Sequence, residues 1–345
     1  MMSATSPKVP AIFMGSDPMV LPVLEALSAS QRLDWKGIFT QPDRPHGRGQ
    51  KLEPNVVKCW AQGQGLPVIQ PEKVDDTHVA WLKEQGVQVA FVMAFGQLLR
   101  LPFLEALPLG AWNFHVSILP KYRGTSPIQS AIAQGDRESG VSLMRIVLKM
   151  DAGPVLSIGR VVITPEDNHE TLSKRIAQAA ATIGPHSLEA ILSNTPHLVP
   201  QDESQASYVR KLVKEDAALD FNEPADKLAC RIRAQWPWPG AWIEHAGQKL
   251  KIGMPVNAGK GDPAQIAAPG TVLGTHEGTL KIACAQGVLK IQALQRPTAK
   301  MLPISEFLRG YPIETGTVFP SHPMQPLVFK ENPYLAKSSI VMHSK

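Results

Sequence analysis

Cysteine is scarce: Cys59, Cys230 and Cys284 stand far apart in 345 residues, with no Cys-x-x-Cys pair. That excludes a disulfide framework and a zinc knuckle and points to a reducing compartment. The loop after the first apolar run, AIFMGSDP, has one glycine rather than G-x-G-x-x-G, and G-x-x-x-x-G-K-[ST] occurs nowhere. Nicotinamide and nucleoside-triphosphate sites are therefore unsupported. The ten histidines include no H-E-x-x-H or other close ligand spacing, so no catalytic metal is expected. A G-x-S-x-G elbow is also missing, which argues against a hydrolase triad. No run approaches the roughly 20 apolar residues of a membrane span, and the start MMSATSPKVP lacks the apolar stretch of a signal peptide. These absences predict a soluble, cytoplasmic protein that touches no membrane.

What is present is enough to build a large core. Hydrophobic residues make up 43% and charged residues 19%, and a chain of 345 residues exceeds what one core usually spans. Two domains are expected. The net charge of +5 is unevenly spread: residues 1–205 carry 18 Lys+Arg against 19 Asp+Glu, while 206–345 carry 17 against 11, giving −1 and +6. A near-neutral first domain joined to a basic second one suits chemistry in the former and a polyanion partner for the latter.

Short apolar runs alternate with amphipathic stretches over the first two hundred residues, the pattern of a doubly wound parallel sheet. Strands are predicted at Val9 to Met14, Trp35 to Thr40, Val87 to Met93 and Ala111 to Ser117. Helices are predicted near 17–29, between Gly96 and Gly110, and from His169 to Leu192 with an interruption at Gly184-Pro185. Residues 193–208 read as a linker. After a helix at Pro224 to Arg233, five short segments alternate at roughly ten-residue spacing, as strands of a small barrel do. Leu280, Ile282 and Cys284, then Leu289, Ile291 and Ala293, share a face. The domains are accordingly 1–205 and 206–330, with a tail at 331–345. Proline-rich composition over about 322–345 predicts a tail laid over the surface or partly disordered.

Candidate chemistry gathers in LGAWNFHVSILPKYRGTSPIQ, residues 109–129. In an extended strand Asn113, His115 and Ser117 point one way, and Trp112, Phe114 and Val116 the other. The strand stops at Pro120, and ligands bind at the carboxyl ends of strands in open parallel sheets. Asp151, in LKMDAGPVL, stands on a loop able to reach the same crevice, where a carboxylate would hold the imidazole tautomer and its protonated form. The loop FTQPDRPHGRGQKL, residues 39–52, carries Arg44, Arg48 and Lys51 among Gly and Pro and is expected to be exposed and mobile.

Taken together, IFMGSDP, FTQPDRPHGRGQKL, NFHVSILPKYRG, MDAGPVL, RAQWPWPGAW and the Lys300 region resemble the folate-dependent formyltransferases. The Asn-x-His strand, the S-[LI]-L-P-x-x-R-G turn and the Asp-x-Gly loop are shared across that family. The FTQPDRP-x-GRG loop and the tryptophan-proline motif are similar to its tRNA-acting members. The resemblance implies an α/β fold: a Rossmann-like N-terminal formyltransferase domain with a small, OB-like C-terminal β-barrel. It implies 10-formyltetrahydrofolate as donor, without a metal, and the α-amino group of methionine on initiator tRNA as acceptor. By it Asn113, His115 and Asp151 are catalytic, and Ser117, Ile118, Leu119 and Pro120 line the folate pocket. Arg44, Arg48 and Lys51 would hold the acceptor end of the tRNA; Arg210, Lys211 and Lys214 would help bind its body. A monomer is expected. The chain departs from the family pattern at GSDPMV, at Trp236 and at Ala299-Lys300. The rival reading is a formyltransferase for an amino sugar nucleotide or ribonucleotide amine, which would need neither the basic second domain nor the 39–52 loop.

Overall fold

The computed structural model describes residues 7–46, 51–254, 256–259 and 267–334. Its main sheet has seven strands: β1 (Val9–Met14), β2 (Leu33–Phe39), β3 (Val68–Ile69), β4 (Val89–Val92), β5 (Ala111–His115), β6 (Glu138–Arg145) and β7 (Val155–Val162). The spatial order is β7-β6-β5-β4-β1-β2-β3, with the five strands from β3 to β5 parallel and β6 antiparallel to β5. Parallel strands covered on both faces must be apolar on both. Ala11, Ile12, Phe13 and Met14 of β1 are fully buried, as are Val89, Ala90 and Phe91 of β4. Aromatic rings brace one face: Phe13 on Trp35, Trp35 on Phe91 and Phe91 on Phe114, with centroids 6.3–6.5 Å apart.

Three predicted elements differ from those observed. β5 ends at His115, because the Ser117 N–H turns back to the His115 carbonyl at 2.9 Å. The helix expected between Gly96 and Gly110 is only Leu101–Glu105. It starts late because Pro102, which has no backbone N–H, belongs in a first helical turn, and Arg100 before it is extended with ψ 163°. The helix His169–Leu192 runs unbroken through Pro185. Gly184 beside it packs so closely on the helix Leu21–Ala29 and β5 that a Cβ would lie 3.1 Å from Val23 and 3.3 Å from Phe114. That packing holds the segment helical despite the lost backbone bond.

The chain divides into two compact units: Met1–Arg123, Ser139–Val162 and Ser173–Ala206 in the first, and Gly124–Glu138, Ile163–Leu172 and Ser207–Lys345 in the second. In the second unit the five expected strands are joined by others into two four-stranded sheets with antiparallel pairing. One sheet holds Trp242–His245, Gln248–Ile252, Ala293–Gln295 and Leu302–Pro303; the other holds Val256–Gly259, Val288–Ile291, Thr279–Ala283 and Val272–His276. Both contribute to one core, in which Leu280, Ile282, Cys284, Leu289 and Ile291 are buried beside Leu228 and Ile232 of the helix Ala225–Ala234. Ala293, expected on the same face, is half-buried. Burial pushes the Cys284 thiol up to about 11, which leaves it an inert core residue.

The proline-rich segment from 322 is packed where it is described. Val328–Phe329 pairs antiparallel with Tyr208–Val209. Arg210 Nε donates to the Pro326 carbonyl at 3.1 Å, Arg231 Nη2 to the Gln325 carbonyl at 3.1 Å, and the Lys211 N–H to Tyr334 Oη at 3.1 Å. Among the described residues no helix is long and apolar enough to cross a membrane.

Candidate active site

The parallel strands β1, β2, β4 and β5 end on one edge of the sheet, and polar groups of the first unit collect there. Gly15 follows β1 where a Cβ would sit 2.7 Å from the Met93 carbonyl and 2.9 Å from the Phe13 ring. The lone glycine of AIFMGSDP is therefore a close-approach residue between strand ends and not a remnant of a phosphate loop. Side chains stitch the same edge: Ser16 Oγ accepts the Gln41 N–H at 2.9 Å, Asn55 Nδ2 donates to the Gln41 carbonyl at 3.0 Å, and Gln41 Nε2 donates to the Phe95 carbonyl at 2.8 Å.

Asn113 and His115 lie two apart on β5, which puts them on one face; Asn113 is half-buried and the His115 side chain 6% exposed. Across 36 positions of sequence (115 to 151) the fold brings Asp151 Oδ2 to 3.7 Å from His115 Nδ1. Three groups expected to converge are thus carried by β5 and one neighbouring loop. That loop hugs the sheet because Gly153 has no side chain: a Cβ there would fall 1.7 Å from the Arg145 carbonyl. The Asp-x-Gly spacing has a steric cause.

The other ring nitrogen corrects one detail of the expected chemistry. His115 Nε2 is 2.9 Å from the Tyr122 carbonyl, an oxygen that only accepts. The proton of the neutral ring is therefore on Nε2, and the lone pair is on Nδ1, facing Asp151. The tautomer is fixed by a backbone carbonyl rather than by the carboxylate. Tyr122 is buried and has φ +62°, and Asp151 has φ +49°. Left-handed backbone at non-glycine residues costs of order 1–3 kcal/mol each and gathers where surroundings force a functional geometry.

The turn expected to receive the folate is tied to β6 through Ser142, which pairs with His115 in register. Fully buried Ser142 donates its hydroxyl to the Ser117 carbonyl at 2.7 Å and accepts the Leu119 N–H at 3.0 Å. Ser117 Oγ itself donates to the Lys121 carbonyl at 2.7 Å. Ile118 and Pro120 are half-buried, and the Leu119-Pro120 peptide is cis. Tyr122 and Ser142 were invisible to sequence reading: a backbone acceptor leaves no residue signature, and one serine in an apolar strand resembles an ordinary core hydroxyl.

The basic residues have separate fates. Arg44 is exposed and bonded to Glu72 at 2.8 Å, in a two-stranded ribbon Arg44–His46 with Lys51–Glu53. Lys51 belongs to that ribbon, and Arg48 lies outside the described residues. Arg210 donates two bonds to Asp216, at 2.6 and 2.7 Å, and is only 20% exposed. Lys211 and Lys214 are exposed. Asp216 is fully buried; burial pushes its carboxyl up, and the bonds from Arg210 and the Val213 N–H with the charges of Arg210 and Arg231 bring it below its ordinary value. Among the described residues no group of three or more His, Cys, Asp or Glu could hold a metal ion.

Residues 9–188 match the Formyl transferase family and residues 211–312 the family described as Formyl transferase, C-terminal domain. The fold and the strand-edge site thus define a two-part formyl transferase. Along its length the chain is 35% identical over 311 residues to the methionyl-tRNA formyltransferase of Bdellovibrio bacteriovorus, covering 90% of this chain and 98% of that one. It is 34% identical to that of Thermus thermophilus, over 88% of this chain and 97% of the relative. The chain belongs to the methionyl-tRNA formyltransferase family. In fold it is also similar to the N-formyltransferase of Helicobacter canadensis solved with folinic acid and dTDP-3-aminofucose, with a TM-score of 0.61 at 16% identity over 84% of this chain and 100% of that one.

Proposed function

We propose that this chain transfers the formyl group of 10-formyltetrahydrofolate to the α-amino group of methionine esterified to initiator tRNA. The observation that carries the mechanism is the His115 Nδ1 to Asp151 Oδ2 approach of 3.7 Å, with the Nδ1 lone pair fixed by the Nε2–H bond to Tyr122. A free α-amino group titrates near 7.7–8.0, so at neutral pH much of it carries a proton that attack requires it to lose. The amine nitrogen bonds to the formyl carbon, and its proton passes to the His115–Asp151 pair, which ends with it on Nδ1. Asp151 then faces an imidazolium and stabilises it. Both N–H groups of that imidazolium are turned to protein, one to Tyr122 and one to Asp151. Stabilisation of the negative formyl oxygen therefore falls to the Asn113 amide. Cleavage of the bond from carbon to folate N10 regenerates the carbonyl, and the leaving nitrogen takes the proton back.

Ser117, Ile118, Leu119 and Pro120 would line the folate pocket, with their backbone braced by Ser142. Residues 206–330 would form the tRNA-binding domain. Lys211 and Lys214 are available to phosphates, while Arg210 is committed to Asp216 and would act through the shape of the segment it holds. Arg44, Arg48 and Lys51 would serve the acceptor end. The test is formyl transfer to methionyl initiator tRNA, methionyl elongator tRNA and an amino sugar nucleotide side by side. Initiator tRNA is expected to be formylated fastest, and a preference for the amino sugar would replace this reading with its rival.

A further inference from the structure

We infer that Gln201 is a positioning residue for the transfer, an amide that locks the Asp151 loop to the turn holding His115. The inference rests on the site reading above and adds a residue to it. Gln201 Nε2 donates to two carbonyls of the loop, Asp151 at 2.8 Å and Gly153 at 2.7 Å. Its Oε1 accepts from Arg123, at 3.1 Å from Nε and 2.8 Å from Nη2. The amide has one possible orientation, since carbonyls only accept and a guanidinium only donates. Arg123 is fully buried and also bonds Glu203, at 3.1 Å from Nη1 to Oε2 and 2.9 Å from Nη2 to Oε1. The residue before Arg123 is Tyr122, whose carbonyl carries the His115 Nε2–H bond.

One side chain therefore joins the two supports of the pair. On one side is the residue next to the imidazole's backbone anchor. On the other is the carbonyl of the carboxylate residue itself, in a left-handed conformation with φ +49°. Such a backbone angle persists only where neighbours over-determine it. The 3.7 Å separation of Nδ1 and Oδ2 leaves little room for drift before the carboxylate loses the ring. Gln201 acts through Asp151.

The experiment is a double-mutant cycle on the full chain, read as kcat and KM for formyl transfer to methionyl-tRNA. Gln201→Ala is expected to lower kcat by about 10- to 100-fold, the usual cost of losing a residue that orients a reacting group, with both KM values near wild type. Introduced into Asp151→Asn, the same change is expected to cost no more than about twofold, because the residue it positions is already disabled. Equal losses in the two backgrounds overturn the inference and make Gln201 a purely structural residue. If Gln201→Ala does not fold, the cycle is run with Gln201→Met, which keeps the volume and removes the bonds; failure of both to fold also overturns it. A slow Asp151→Asn beside an unimpaired Gln201→Ala sinks the inference alone. A wild-type rate for Asp151→Asn sinks the reading of the site together with it.

Discussion

His115 is held at one nitrogen by backbone and faces a carboxylate at the other, and this asymmetry decides which group does what. The neutral ring presents its lone pair only at Nδ1. Asn113→Ala and Asp151→Ala are each expected to lower kcat by about 10²-fold or more with an unchanged far-UV CD spectrum. A near-normal turnover in either purified variant removes that residue from the mechanism. Beside the pair, Arg123 and Lys149 hold Glu203 down to about 2 from its ordinary 4.5. Because the folded value is the lower one, the stabilisation is complete above about pH 4.5 and fades as pH falls through 2. Urea unfolding of Glu203→Gln beside the wild type is expected to show a stability gap that narrows from pH 6 toward pH 2; a constant gap would refute it. The placement of Asn113 and His115 on one strand face was legible in the sequence through strand alternation, and that of Asp151 through its loop ahead of a Gly-Pro turn. Tyr122, Ser142 and Gln201 were not, because their contributions run through backbone groups or lie in a stretch whose composition reads as a connector.

At the level of elements, the strands with the longest apolar runs were readable almost to the residue: β1 was expected and found at Val9 to Met14. Boundaries shifted where a proline fixed the first turn, as Pro102 does in Leu101–Glu105, or where packing overrode a breaker, as at Pro185. The stretch 193–208 is the clearest case. Its prolines and polar residues read as a linker, yet Val199 pairs with Val155 through two backbone bonds of 2.9 Å and Gln201 and Glu203 grip Arg123. In the second unit, the charged cluster of Arg210, Arg231 and Asp216 is the corresponding tether. Asp216→Ala would leave Arg231, itself 8% exposed, without its counter-charge. A loss of about 3–5 kcal/mol is expected from chemical denaturation, the range for removing one partner of a buried pair. A loss below 1 kcal/mol would mean that water or the tail carbonyls replace the carboxylate.

For the whole molecule, the uneven charge is the property read directly from sequence, −1 over residues 1–205 and +6 over 206–345. If the basic part meets phosphates, the affinity for tRNA falls linearly in log-log form with salt, and Lys211→Ala or Lys214→Ala reduces the slope by about 1 each. A flat salt profile in filter binding would deny phosphate contacts to this region. The pairing of Val328–Phe329 with Tyr208–Val209 has a temporal consequence. The strand that opens the long final segment of the second unit gains one of its two hydrogen-bonded neighbours more than a hundred residues later. During synthesis the first unit has every segment it needs once residue 206 has emerged, whereas the second lacks this last strand until nearly the whole chain has left the ribosome. A nascent chain stalled shortly before residue 325 would be cut by protease at 208–211, a stretch the released protein shields.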